Sequence, residues 1–131
     1  HLFNSRGELY LQKRPAWKDI QPGRWDTAVG GHVDWGEEPL AALRREVREE
    51  VGVTDFEPQH VLTYLFESER ERELVYVYKT VYDGPVVPIG ELDGGRFWTL
   101  REIAEGVGGG IFTPNFEGEI RRVAELPDVG R

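Results

Sequence analysis

Glu46, Glu49 and Glu50 stand at spacings of three and four in a stretch that reads as helix. At about 100° per residue they fall within an arc of about 100°. Like charges so placed repel by about 0.2–0.5 kcal/mol per pair. A divalent cation would remove that repulsion and give the cluster a use. Mg²⁺ takes hard oxygen ligands, binds through few carboxylates and keeps waters that a phosphate group can replace. Taken alone, the cluster has a plainer account, a solvated acidic face offset by Arg44, Arg45 and Arg48.

The carboxylates need a helix with a buried side next to them. Leu40, Leu43, Val47 and Val51 supply an apolar stripe beside the glutamate arc, Pro39 suits the first turn, and Gly52 suits the position just past the last. Ahead of the helix, Gly30 and Gly31 bring backbone close without side-chain obstruction. LFNSRGELYLQKR reads as strand, turn and strand, with Asn4 to Gly7 as the turn. PAWKDIQPGRWD reads as a loop, and Trp25, Thr27 and Val29 alternate as a short strand. HVLTYLFE and ELVYVYKTVY predict a long antiparallel hairpin, and RFWT a short strand. Thr99 and Glu102 form a capping-box pattern ahead of LREIAE. A last helix is predicted to open at Thr113 and Pro114, with Phe116, Ile120, Val123 and Ala124 as its apolar face.

The chain has 131 residues, which fits one domain with a core of its own. There is no cysteine, so disulfides, thiolate metal sites and cysteine nucleophiles are excluded. A net charge of −8 argues against coating nucleic acid. No apolar run reaches membrane-spanning length and no signal-peptide pattern opens the chain, so no membrane partner is expected and a cytoplasmic setting is. The chain begins at His1 in what already reads as strand, so the amino terminus is taken to be incomplete.

The full spacing narrows the chemistry. Gly31, five residues, Glu37, seven residues, Arg45-Glu46-Val47, one residue, Glu49-Glu50, one residue, Gly52-Val53 resembles the signature of the Nudix hydrolase family at every position. Seven positions are fixed and two aliphatic, so a chance match is roughly one in a hundred thousand. The resemblance implies an α/β/α sandwich with a mixed β-sheet between helices, and a single domain over residues 1–131. It implies hydrolysis of a diphosphate linked to another moiety, with Mg²⁺ or Mn²⁺ as cofactor. By the same resemblance Glu46, Glu49 and Glu50 are metal ligands, joined by the carbonyl of Gly30. Arg45 orients the glutamates, and Glu37 fixes the loop against the helix. The general base is Glu49, Glu50 or Glu91.

Lys13 and Arg14, at a strand end, are candidates to clamp phosphates. Trp35 and His32 are candidates to face substrate. Trp17 is a further stacking candidate, whereas Trp25 suits a core anchor. The stretch from Leu2 to Glu37 is similar to the Nudix branch that includes isopentenyl-diphosphate isomerase. In that enzyme a catalytic Cys stands where this chain has Gly30, and a metal-binding His matches His32. With no Cys and a complete box, hydrolysis is the expectation over isomerisation. A non-catalytic ligand-binding module is the other alternative, set against the intact glutamates. The expected partner is a small diphosphate, and a homodimer stays open because many family members dimerise.

Overall fold

The computed structural model describes residues 1–14, 23–30, 36–67, 69, 72–87 and 94–129. Its elements are β1 (Leu2–Phe3), β2 (Leu9–Lys13), β3 (Trp25–Thr27), α1 (Pro39–Val51), β4 (Gln59–Glu67), β5 (Arg72–Val81), β6 (Gly95–Trp98), α2 (Leu100–Gly106) and α3 (Pro114–Val123).

β2 is central because both of its faces are apolar. Leu9 and Leu11 point to one side, where they pack with Trp98, Ile103, Phe112, Phe116 and Ile120 beneath α2 and α3. Tyr10 points to the other, where it joins Leu2, Val47, Val51, Val53 and Phe56 against α1. The alternation of one strand thus builds two cores and sets helices on both faces of the sheet. This is the expected α/β/α sandwich.

The sheet is mixed. β2 runs antiparallel to β1, β3 and β6, with Leu11 opposite Thr27 and Tyr10 opposite Phe97. β1 pairs in parallel with β5, Leu2 opposite Thr80, and β5 pairs antiparallel with β4. In the β4–β5 hairpin, Tyr64 lies opposite Val75 and Phe66 opposite Glu73, so Tyr64, Phe66, Glu73 and Val75 share one face.

The local signals resolve as their chemistry demands. Asn4 closes the β1–β2 turn by accepting the Arg6 and Glu8 N–H groups on Oδ1, each at 3.0 Å. Thr99 and Glu102 form the reciprocal capping box of α2, and the Thr113 hydroxyl accepts the Phe116 N–H at the start of α3. Gly52 ends α1 in the left-handed region at φ 69°, where a side chain would be strained. The apolar stripe of α1 differs from expectation at its first turn. Leu40 is 42% exposed, and Ala42 is the buried residue of the amino-terminal half. That half borders a cleft rather than the core, so the stripe packs from Leu43 onward.

Candidate functional site and family

α1 places Glu46, one residue of the glutamate face, on the wall of a cleft of about 440 Å³. The cleft lies between α1, the inner face of the β4–β5 hairpin, α3, and the segment that leaves β3 toward Gly30. Pro39, Ala42, Leu43 and Glu46 line it from α1, and Asn115, Phe116 and Glu119 line it from α3.

Arg45 organises the glutamates. Its Nε donates to Glu37 Oε2 and its Nη2 to Glu37 Oε1, both at 3.0 Å, a bidentate pair. Nη1 donates to Glu46 Oε1 at 2.8 Å and to Glu49 Oε2 at 3.4 Å. Hydrogen bonds donated to Glu37 and then to Glu46 raise the pKa of an already cationic guanidinium. Glu37 precedes the helix, so one side chain joins the entering loop to two of the glutamates.

Glu50 lies deeper. The Gly30 N–H donates to its carboxylate, yet burial, followed by the charges of Glu46 and Glu49, pushes its pKa up to about 7. Its Oε2 is buried with no hydrogen-bond partner among the described residues. A Cβ placed on Gly30 would meet Thr27 Oγ1 at 3.8 Å, an ordinary contact, so Gly30 acts here through its backbone.

These donors suit a hard cation. An orphaned carboxylate oxygen on Glu50 is the group such an ion would satisfy. Among the described residues no three His, Cys, Asp or Glu side chains converge on one point. Arg45 draws Glu46 and Glu49 to itself, and the Glu49 side chain is 53% exposed. The arrangement therefore fits an ion that takes few protein ligands and keeps its own waters, as Mg²⁺ does.

Of the remaining candidates, Lys13 ends β2 opposite Trp25. The Arg14 N–H donates to the Arg24 carbonyl at 2.9 Å, and the Arg14 charge acts on Asp26. Trp25 anchors the core, edge-on to Trp98 with ring centroids 5.2 Å apart. Glu91, Trp35, His32 and Trp17 lie outside the described residues.

The sequence pattern did not reveal three polar residues on the cleft. Asp26 sits beside the Glu50 charge and accepts the Thr27 N–H at 2.7 Å. Burial raises its pKa although that bond and the Thr113 side chain lower it. Glu119 accepts from His1 Nε2 at 2.7 Å and from the Tyr64 hydroxyl at 2.8 Å. Burial pushes the Glu119 carboxyl up, but those partners and Arg122 hold it below the usual carboxylate range. One signal was available: Asn115 and Glu119 are four apart on α3, the spacing that aligns side chains on a helix face.

The NUDIX domain family is matched over residues 2–116. The Pseudomonas aeruginosa Nudix hydrolase PA4841 is 38% identical over 85 residues, covering 65% of this chain and 50% of that protein. An isopentenyl-diphosphate Delta-isomerase of Serratia proteamaculans is 31% identical over 109 residues, 79% of this chain and 59% of the enzyme. The chain thus spans between half and three-fifths of the length of these relatives. Among solved structures, DR0079 of Deinococcus radiodurans superposes with a TM-score of 0.81 at 25% identity, covering 95% of this chain and 79% of that one. With a box complete at every position and a family match across nearly the whole chain, this protein belongs to the Nudix family.

Proposed function

We propose that the chain is a divalent-metal-dependent hydrolase that cleaves a phosphoanhydride bond in a nucleoside diphosphate linked to another moiety. The observation that carries this reading is the orphaned, buried Glu50 Oε2, under the charges of Glu46 and Glu49, with Glu46 lining a ligand-sized cleft. Glu46, Glu49, Glu50 and the Gly30 carbonyl are the candidate ligands, of which a few at a time would hold Mg²⁺, or Mn²⁺ in its place, with waters completing its shell. When bound, the ion neutralises diphosphate charge and makes a water more acidic.

The protein groups divide the remaining work. Arg45 keeps Glu46 and Glu49 in place while Glu37 ties the guanidinium to the helix entrance. A carboxylate with its pKa near neutrality can accept a proton from an attacking water, and Glu50 has that property. Glu49 and Glu91 are the other candidates for the base. Lys13 and Arg14 are the candidate phosphate clamps, with Trp35 and His32 the candidates to touch the organic part.

Relatives called isopentenyl-diphosphate Delta-isomerase favour a second reading, an isoprenoid diphosphate as substrate. The absence of cysteine removes the thiol that the isomerase resemblance calls for at position 30, so hydrolysis remains the better reading. The deciding experiment is product release from a panel of nucleotide and isoprenoid diphosphates, with Mg²⁺ and then with EDTA. Metal-dependent cleavage is expected. No cleavage of any member, with binding of one, would point to a ligand-binding module instead.

A further inference from the structure

The cleft that Glu46 lines is also lined by Tyr64 of β4, Glu119 of α3 and His1. There Glu119 is held from two sides, by His1 Nε2 on Oε1 and by the Tyr64 hydroxyl on Oε2. An ionised carboxylate is acceptor-only, so both partners donate, and each oxygen keeps a lone pair for a ligand. The donation from Nε2 leaves His1 Nδ1 as the ring's other polar atom. The His1 side chain is only 2% exposed, its ring lines the cleft, and Nδ1 has no partner among the described residues. Nδ1 accepts in a neutral ring and donates in a protonated one, so the choice of ligand rests on the Glu119 carboxylate. A buried polar atom left without a partner is costly.

The rest of the wall restricts what can enter. Asp26, Glu46 and Glu73 also line the cleft, so an anionic group is repelled wherever no cation offsets them. On the hydrolase reading that cation is held by the box glutamates, which places the diphosphate beside Glu46 and leaves Glu119 to the organic part. Phe66, half-buried, gives the cleft apolar aromatic surface, which suits a flat ring. An aliphatic chain would desolvate Glu119 and His1 with nothing in return, and that loss discriminates strongly.

We propose that Glu119, positioned by Tyr64 and His1, is the specificity-determining acceptor for the organic part of the substrate. It selects a diphosphate whose other moiety is a flat heterocycle with adjacent N–H donors on one edge. This rests on the hydrolase reading for the diphosphate end alone. Among nucleobases, guanine offers two adjacent donors to one carboxylate. Uracil offers one donor flanked by two carbonyl oxygens that would face the carboxylate's negative charge. An isopentenyl group offers none.

The test is calorimetric binding of GMP, UMP and isopentenyl monophosphate in EDTA, where no turnover occurs. GMP is expected to bind at least about tenfold more tightly than either competitor, one well-made buried polar pairing being worth about that much. Glu119→Gln replaces an acceptor by a mixed donor and acceptor, and should reduce the GMP preference to under about threefold. Tyr64→Phe, which removes one support of Glu119 without altering charge, should weaken GMP and leave UMP unchanged; it also serves if Glu119→Gln fails to fold. Equal binding of the three ligands, no binding of any, or a preference that survives both substitutions overturns the proposal. Cleavage assays with Mg²⁺ separate the two readings. Indiscriminate cleavage removes the role of Glu119 and leaves hydrolysis standing, whereas Glu119-dependent GMP binding without cleavage does the reverse.

Discussion

Arg45 holds Glu37 through two parallel hydrogen bonds of 3.0 Å, and with its third nitrogen reaches Glu46 at 2.8 Å. A lysine has the charge but not the planar fork, so it cannot hold both carboxylates in fixed directions. Arg45→Lys is therefore expected to weaken Mn²⁺ binding about tenfold or more, as loss of groups behind metal ligands commonly does. Far-UV circular dichroism should change little. Electron paramagnetic resonance of free Mn²⁺ reads the affinity, and unchanged binding would remove Arg45 from the positioning of the glutamates.

Glu50→Gln keeps the shape and removes the negative charge. Turnover should fall by at least about a hundredfold, since a ligand and a candidate base are lost together. The fold should stay intact, because the charged form of Glu50 is the one that burial disfavours. Steady-state kinetics beside thermal unfolding would check both halves. Near-normal activity would end the metal assignment.

Glu50 also sets a pH dependence of stability in the metal-free protein. Its folded pKa of about 7 lies above its ordinary value of 4.5. Between those two values the folded chain keeps a proton that the unfolded chain has released, so stability falls as pH rises through that window. Melting temperature in EDTA should drop from about pH 5 to about pH 8. Mg²⁺ should restore more at the higher pH, where its ligand is ionised. Glu50→Gln should flatten the EDTA profile, and an equally steep profile in that variant would assign the effect elsewhere.

Glu91→Gln separates the candidates for the base. If Glu91 takes the proton, the rate falls and the acidic limb of the pH–rate profile shifts. A profile identical to the parent's would leave the role to Glu49 or Glu50.

Gly52 closes α1 with φ at 69°. Gly52→Ala is expected to cost about 1 kcal/mol, the penalty of placing a Cβ in the left-handed region. Urea denaturation measures it directly. No loss of stability would mean that the helix ends differently in solution.

Much of this was legible in the residues because local chemistry and global fold agree. Pro39 and Gly52 bound α1, the Thr99–Glu102 box opens α2, and alternation along β4 and β5 marks the hairpin. The glutamate face followed from helical spacing alone. Leu40 was misread because periodicity tells which residues share a stripe, not how far along the helix the core extends. The Glu119 end of the cleft was hidden for another reason. Tyr64 lies on β4, Glu119 on α3 and His1 just ahead of β1, and only tertiary packing brings a carboxylate from α3 onto a hydroxyl from β4.

The two-residue strand β1 carries a larger burden than its length suggests. Through Leu2 and Phe3 it is the strand that joins the β4–β5 hairpin to the β2 half of the sheet. Its partners Thr80 and Val81 come from far along the chain. The hairpin can form by local closure, but this seam must await a long-range encounter, which is the slow kind in folding. The cleft, whose walls belong to both halves, is therefore expected to assemble late. In hydrogen exchange the Thr80 and Tyr82 amides, which donate to the His1 and Phe3 carbonyls, should gain protection after those inside the hairpin.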